Sequence, residues 1–179
     1  MMDSFISKTR TWVEKVVIGL NLCPFAKPVF AKNQIKFAVS EATNTQALTQ
    51  DLIHELLFLS GIEGDDTETT ILIHPLVLQD FEAYMDFVEA ANDMIYELNL
   101  EGIFQIASFH PDYQFAETQK EDMENYTNRS PYPMLHIIRE DTVEKAVKTY
   151  PNVSEIPQNN IQKVKTLDKT FFEKFLSLS

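Results

Sequence analysis

Residues 102–140, GIFQIASFHPDYQFAETQKEDMENYTNRSPYPMLHIIRE, decide how the chain is read. Ile103–Phe109 is an apolar run of strand length, and Pro133–Arg139 is a second one in which Met134, His136 and Ile138 alternate with Leu135 and Ile137. Between them runs a polar excursion holding His110, Asp112, Asn128, Arg129, Ser130 and Tyr132. A compact domain seldom keeps about twenty irregular residues unless they bind something or cap a site, and the aromatics and prolines here argue against disorder. No helix long enough for a parallel crossover is evident, although residues 117–126 (ETQKEDMENY) have the composition for a helical turn or two. The two strands are therefore expected to be antiparallel neighbours.

Upstream, helical spacing of Phe5, Thr9, Trp12, Val13, Val16, Val17 and Leu20 predicts a core-facing helix from about Asp3 to Gly19. Gly19 and Asn21 are its stops, and Pro24 turns LNLCPFAKP into extended, turned chain. Residues 34–39 form a short first strand. Thr43 or Asn44 caps a helix carrying Leu48, Leu52, Leu56 and Leu59 as far as Gly61. After the acidic loop EGDDTE, residues 69–74 read as a strand buried on both faces, closed by Pro75. Phe81, Tyr84, Val88, Ala91, Ile95 and Leu98 then mark the clearest helix in the chain. Downstream of the quoted stretch, Asp141 and Glu144 resemble a capping pair for a short helix ended by Pro151. Pro157 opens a last helix striped by Ile161, Val164, Leu167, Phe171, Phe175 and Leu178.

This order implies one α/β domain over residues 1–179, with a central mixed sheet of about four strands covered by helices. Without its outer helices it has the βαβαββα order of thioredoxin-like folds, with extra N- and C-terminal helices. Redox chemistry does not follow from that order, because the chain has a single cysteine, Cys23, and no Cys-x-x-Cys.

The formal net charge is −12, and its distribution is uneven. Residues 1–36 hold six Lys/Arg against two acids, whereas residues 37–119 hold sixteen acids and no Lys or Arg. Such a chain is an acidic protein that repels nucleic acid and anionic membrane, so neither is expected as a partner. No run approaches the ~18 apolar residues of a membrane span, and the N-terminus lacks a signal-peptide pattern, which makes the cytoplasm the expected location.

Two blocks carry a resemblance: VVIGLNLCPFA at residues 16–26, and ASFHPDYQF followed by TNRSPYPMLHIIRE. With ETTILIHP before the third helix, they resemble a bacterial family catalogued as domain of unknown function 1415, over almost the whole chain. The resemblance implies a cytoplasmic, single-domain protein and carries no catalytic role, cofactor or substrate.

The residues themselves suggest an anion site. Arg129 and Arg139 are two of only three arginines, and the guanidinium fork suits carboxylate or phosphate. Asn128, Ser130 and Tyr132 add donors, and Lys27, within LNLCPFAKP and close in sequence to Cys23, adds a cation. His110, at a strand end that opens into a loop, is the candidate acid or base, with a loop-tethering histidine as the competing reading. Cys23 is the optional nucleophile, or a small apolar filler. His136, inside its strand, reads as a hydrogen-bonded, partly buried histidine; His54 and His74 have weaker claims. His110, Asp112 and His136 lack any recognised metal spacing, and no cofactor is specified. The expected function is a small enzyme acting on an anionic metabolite, with LNLCPFAKP and TNRSPYP meeting at one cleft. The alternative is a non-catalytic module that binds a ligand or a protein.

Overall fold

The computed structural model describes residues 2–62 and 66–176. Helix α1 (Met2–Trp12) runs into six residues of wider, π-helical turn, Val13–Ile18. There follow α2 (Ala26–Ala31), β1 (Ile35–Val39), α3 (Thr45–Ser60), β2 (Thr69–Ile73), α4 (Phe81–Glu97), β3 (Phe104–Phe109) and β4 (Met134–Arg139). The chain ends with α5 (Glu140–Thr149), α6 (Ile156–Lys165) and α7 (Lys169–Leu176). The four strands form one sheet in the order β1-β2-β4-β3. β1 and β2 are parallel, and β4 is antiparallel to both β2 and β3, as expected for the hairpin. In space the hairpin joins the sheet through β4 onto β2, and β1 is left at the edge.

Strand alternation divides the core in two. Leu72, Leu135, Ile137 and Phe104 face α3 and α4, where Leu48, Leu52, Leu56 and Leu59 are fully buried beside Tyr84, Val88 and Ala91. Ile71, Ile73 and Met134 face the other way, toward Trp12, Val13 and Val16 of the N-terminal helix and Val164 and Phe172 of the C-terminal pair. All five residues of β2 are buried, which matches a strand read as covered on both faces. The helix starts follow local chemistry. Asn44 accepts from the Ala47 amide and Asp80 from the Ala83 amide, each at 2.9 Å.

Four expectations change. The first helix is α-helical only to Trp12; beyond it the Gly19 and Leu22 amides donate five residues back, to Glu14 and Val17. A methyl group on Gly19 would lie 2.3 Å from the Lys15 carbonyl oxygen, so the wide turn excludes any side chain there. The segment LNLCPFAKP is not wholly extended, because Ala26–Ala31 forms a helix that tolerates Pro28 in its first turn, where its missing N–H has no intrahelical acceptor anyway. Asp141 and Glu144 do not act as a capping pair. They bind Lys145 and Lys148 one turn on, at 2.9 and 3.8 Å, and α5 begins without a side-chain cap. The last helix is two helices, because Asp168 Oδ1 accepts the Thr170 amide at 2.9 Å, restarts the helix and turns Phe172 rather than Phe171 fully inward. Leu178 and part of the acidic loop, residues 63–65, lie outside the described residues.

The hairpin is fastened to α4 by one hydroxyl. The fully buried Tyr84 donates to the Met134 carbonyl at 2.8 Å and accepts from the Phe109 amide at 2.9 Å, at the pair that ends the β3–β4 ladder. In Tyr84→Phe both backbone groups lose their partner without access to water, so the variant is expected to lose about 3 kcal/mol of unfolding free energy. Urea denaturation checks this, and a loss under about 0.5 kcal/mol would mean that the hydroxyl does not fasten the hairpin.

Candidate functional site

The two sides of the sheet are packed differently. Against α3 and α4 the side chains close up, whereas on the other side a cavity of about 240 Å³ remains between the sheet, the wide turn, the Cys23–Val29 segment and α5. Its floor is Ile71, Phe109, Met134 and His136, and its roof includes Trp12, Val17, Phe25 and Val143. Its wall is almost wholly apolar. The register explains the space: His136 stands between Ile71 on β2 and Ala107 on β3, and the alanine's single methyl leaves room beside the imidazole. The wall built from α2 and α5 is thin, since neither helix has a buried residue.

His136 is the polar group of the floor. Its Nε2 lies 2.7 Å from Thr69 Oγ1, and Thr69 Oγ1 donates its only proton to the Ile137 carbonyl at 2.5 Å. The threonine oxygen must therefore accept from Nε2–H, which fixes the tautomer and leaves Nδ1 as a bare acceptor. Nδ1 has no partner among the described residues, and it is not among the polar atoms sealed into the packing. The ring is surrounded by protein, and the open space it meets is the cavity. Burial among apolar side chains disfavours the imidazolium and pulls the pKa from 6.5 to about 4. Cys23 lines the same cavity, and burial pushes its thiol up, against smaller opposing contributions from the Phe25 and Ala26 amides. With the thiol protonated and the imidazole neutral, the charge in the lining comes from Glu68, whose carboxylate accepts from Thr142.

The residues of the expected anion site are placed otherwise. Arg129 is buried in the excursion, where Nε donates to the Tyr113 carbonyl at 3.2 Å, a terminal nitrogen donates to the Lys120 carbonyl at 2.6 Å, and the guanidinium stacks on Tyr126. Arg139 stands at the opposite end of β4, roughly 17 Å of strand away from Met134. It donates to the Leu59 and Ile62 carbonyls, 2.8 and 2.9 Å away, and so satisfies the C-terminal end of α3. His110 lies on the α4 side of the sheet, bonded through Nε2 to the Leu78 carbonyl at 3.1 Å and through Nδ1 to the Asp112 amide at 3.0 Å. Asn128 donates to the Ser108 carbonyl and Ser130 to the Tyr132 carbonyl. The Tyr132 ring packs edge-on against Phe5, and Lys27 is exposed on α2. The structure does not bring Lys27, His110, Arg129 and Arg139 to one cleft. The excursion is stitched to itself around Asn125, whose amide joins Phe115, Thr118 and Gln119.

Sequence reasoning reached Cys23 and His136 but not the cavity that joins them. The available signal was the pair of short side chains, Thr69 and Ala107, at inward positions of strands whose other inward residues are large.

The chain belongs to the family described as "Protein of unknown function (DUF1415)", whose sequence model matches residues 4–174. No curated protein and no solved structure matches it. Among the described residues no helix is long and apolar enough to cross a membrane.

Three histidines whose pKa values burial lowers set the acid response, His110 among them. His74 and His136 both have pKa values lowered to about 4, chiefly by burial. Between pH 6.5 and 4 the unfolded chain takes up protons that the folded chain refuses, so stability present above pH 6.5 is lost as pH falls toward 4. His74 and His136 account for about 3 kcal/mol each at most. Urea denaturation from pH 7 to 4.5 is expected to show this fall, with a shallower slope in His136→Gln; an NMR titration placing His136 at pH 6 or above would contradict it.

Proposed function

We propose that this protein is a binding module for a small, uncharged, predominantly apolar molecule held between the sheet and the N-terminal helix. The observation that carries the proposal is the cavity itself, about 240 Å³ with an almost wholly apolar wall, in a protein whose other sheet face is closed. Protein interiors pack like organic crystals, and the lining of a partly open apolar space of this size forfeits dispersion contacts that a ligand would restore. A cavity of about 150 Å³ lined by aliphatic and aromatic side chains suffices for benzene, so this one accommodates a substituted ring or a branched chain of similar bulk.

Charge favours the same reading. A neutral ligand is indifferent to the net charge of −12, whereas an anion entering past the acidic middle of the chain is repelled. Both central arginines already spend donors on backbone carbonyls. Binding fits better than turnover, because burial keeps the Cys23 thiol protonated and less nucleophilic.

Trp12 is the chain's single tryptophan and lines the cavity, so its fluorescence reports occupancy directly. Titration with p-xylene is expected to change Trp12 emission saturably, raise the melting temperature and slow alkylation of Cys23 by iodoacetamide. Ala107→Leu, which fills the floor, is expected to keep or raise the melting temperature and to weaken p-xylene about tenfold or more. Unsaturable emission changes, or equal p-xylene affinity in Ala107→Leu, would refute the cavity as the binding site.

A further inference from the structure

The polar detail of the floor specifies which apolar molecule belongs there. We infer that the ligand is a compact neutral alcohol or phenol whose hydroxyl donates to Nδ1 of His136, an inference that rests on the cavity being a binding site.

Thr69 decides the matter. Its hydroxyl has one proton, and the Ile137 carbonyl, itself unable to donate, takes it. Nε2 of His136 must then carry the ring proton, and Nδ1 presents a lone pair with no donor among the described residues to meet it. A purely apolar ligand leaves that lone pair dehydrated and unpaired, which costs free energy, whereas a ligand with one hydroxyl satisfies both its own proton and the imidazole. Charged ligands fit poorly. A carboxylate would lose its hydration against an apolar wall and meet a neutral imidazole that offers its lone pair rather than a proton. An ammonium would lose its hydration against that apolar wall, a cost that the attraction of the Glu68 carboxylate, which accepts from Thr142, offsets only in part. The site thus asks for one donor on an otherwise apolar body.

The matched pair p-cresol and p-xylene isolates that donor, since a hydroxyl replaces a methyl of nearly the same size. Calorimetry and Trp12 emission on the full chain are expected to show p-cresol binding at least as tightly as p-xylene. On histidine-labelled protein, the ¹⁵N resonance of His136 Nδ1 is expected to shift with p-cresol and to stay within a fraction of that shift with p-xylene. His136→Phe is expected to weaken p-cresol about tenfold or more relative to p-xylene, so that any preference for p-cresol is lost or reversed. If that variant fails to fold, the wild-type pair and the Nδ1 resonance decide alone. Should p-xylene bind about tenfold tighter than p-cresol while Nδ1 does not respond, the hydroxyl inference falls and the apolar cavity stands. Should neither compound bind, both fall together.

Discussion

β2 lies between β1 and β4 with all five residues buried, so its polar side chains have only protein to bond to, and Thr70 Oγ1 finds no partner there. Thr69 meets that constraint by bonding across the sheet to β4, giving its proton to the Ile137 carbonyl and accepting from His136. One side chain thereby locks the β2–β4 pairing, chooses the imidazole tautomer and aims a bare acceptor into the cavity. Moving the register by one residue would turn His136 toward the leucines of α3 and leave Thr69 without this partner. The polar character of the site and the pairing of the central strands are therefore one arrangement.

Packing is distributed accordingly. The α3–α4 layer carries the tight core, and Tyr84 ties the loop end of the hairpin to it. The opposite layer is assembled from distant pieces of chain, with Val164 and Phe172 packed beside Trp12 and Val16, and with Asn160 donating to the Leu22 carbonyl at 2.7 Å. Short elements without buried residues, such as α2 and α5, have little holding them against local opening. They flank the cavity, so the wall that opens at least cost is the one through which a ligand of the proposed kind would enter.

Much of the frame was legible in the sequence because it is written in local periodicity: the leucine stripe of α3, the apolar stripe of α4 and the continuous apolar run of β2. The antiparallel hairpin followed from the lack of a crossover helix between Phe109 and Met134. Placing His110 on the face of Phe104 and Ile106 followed from strand alternation, and the structure sets it against Tyr84 on that side. What stayed illegible depends on partners remote in sequence. Arg129 and Arg139 bind backbone carbonyls, which leave no residue pattern to recognise. The wide turn at Val13–Ile18 keeps the apolar spacing of an ordinary helix, and only the crowding at Gly19 distinguishes it. A cavity is a deficit of volume summed over Val17, Cys23, Ala107 and Ala146, residues from three separate elements and a turn, and no single stretch records it.

The central claim is that the space between the sheet and the N-terminal helix is a persistent, dry, apolar cavity that small molecules can enter. Xenon is the most direct probe, because it seeks such cavities and makes no hydrogen bonds. A crystal structure determined under xenon pressure is predicted to show a xenon atom bounded by Trp12, Met134 and His136, with the surrounding side chains unmoved. Well-ordered water filling that volume, or side chains collapsed into it with xenon bound elsewhere, would contradict the account.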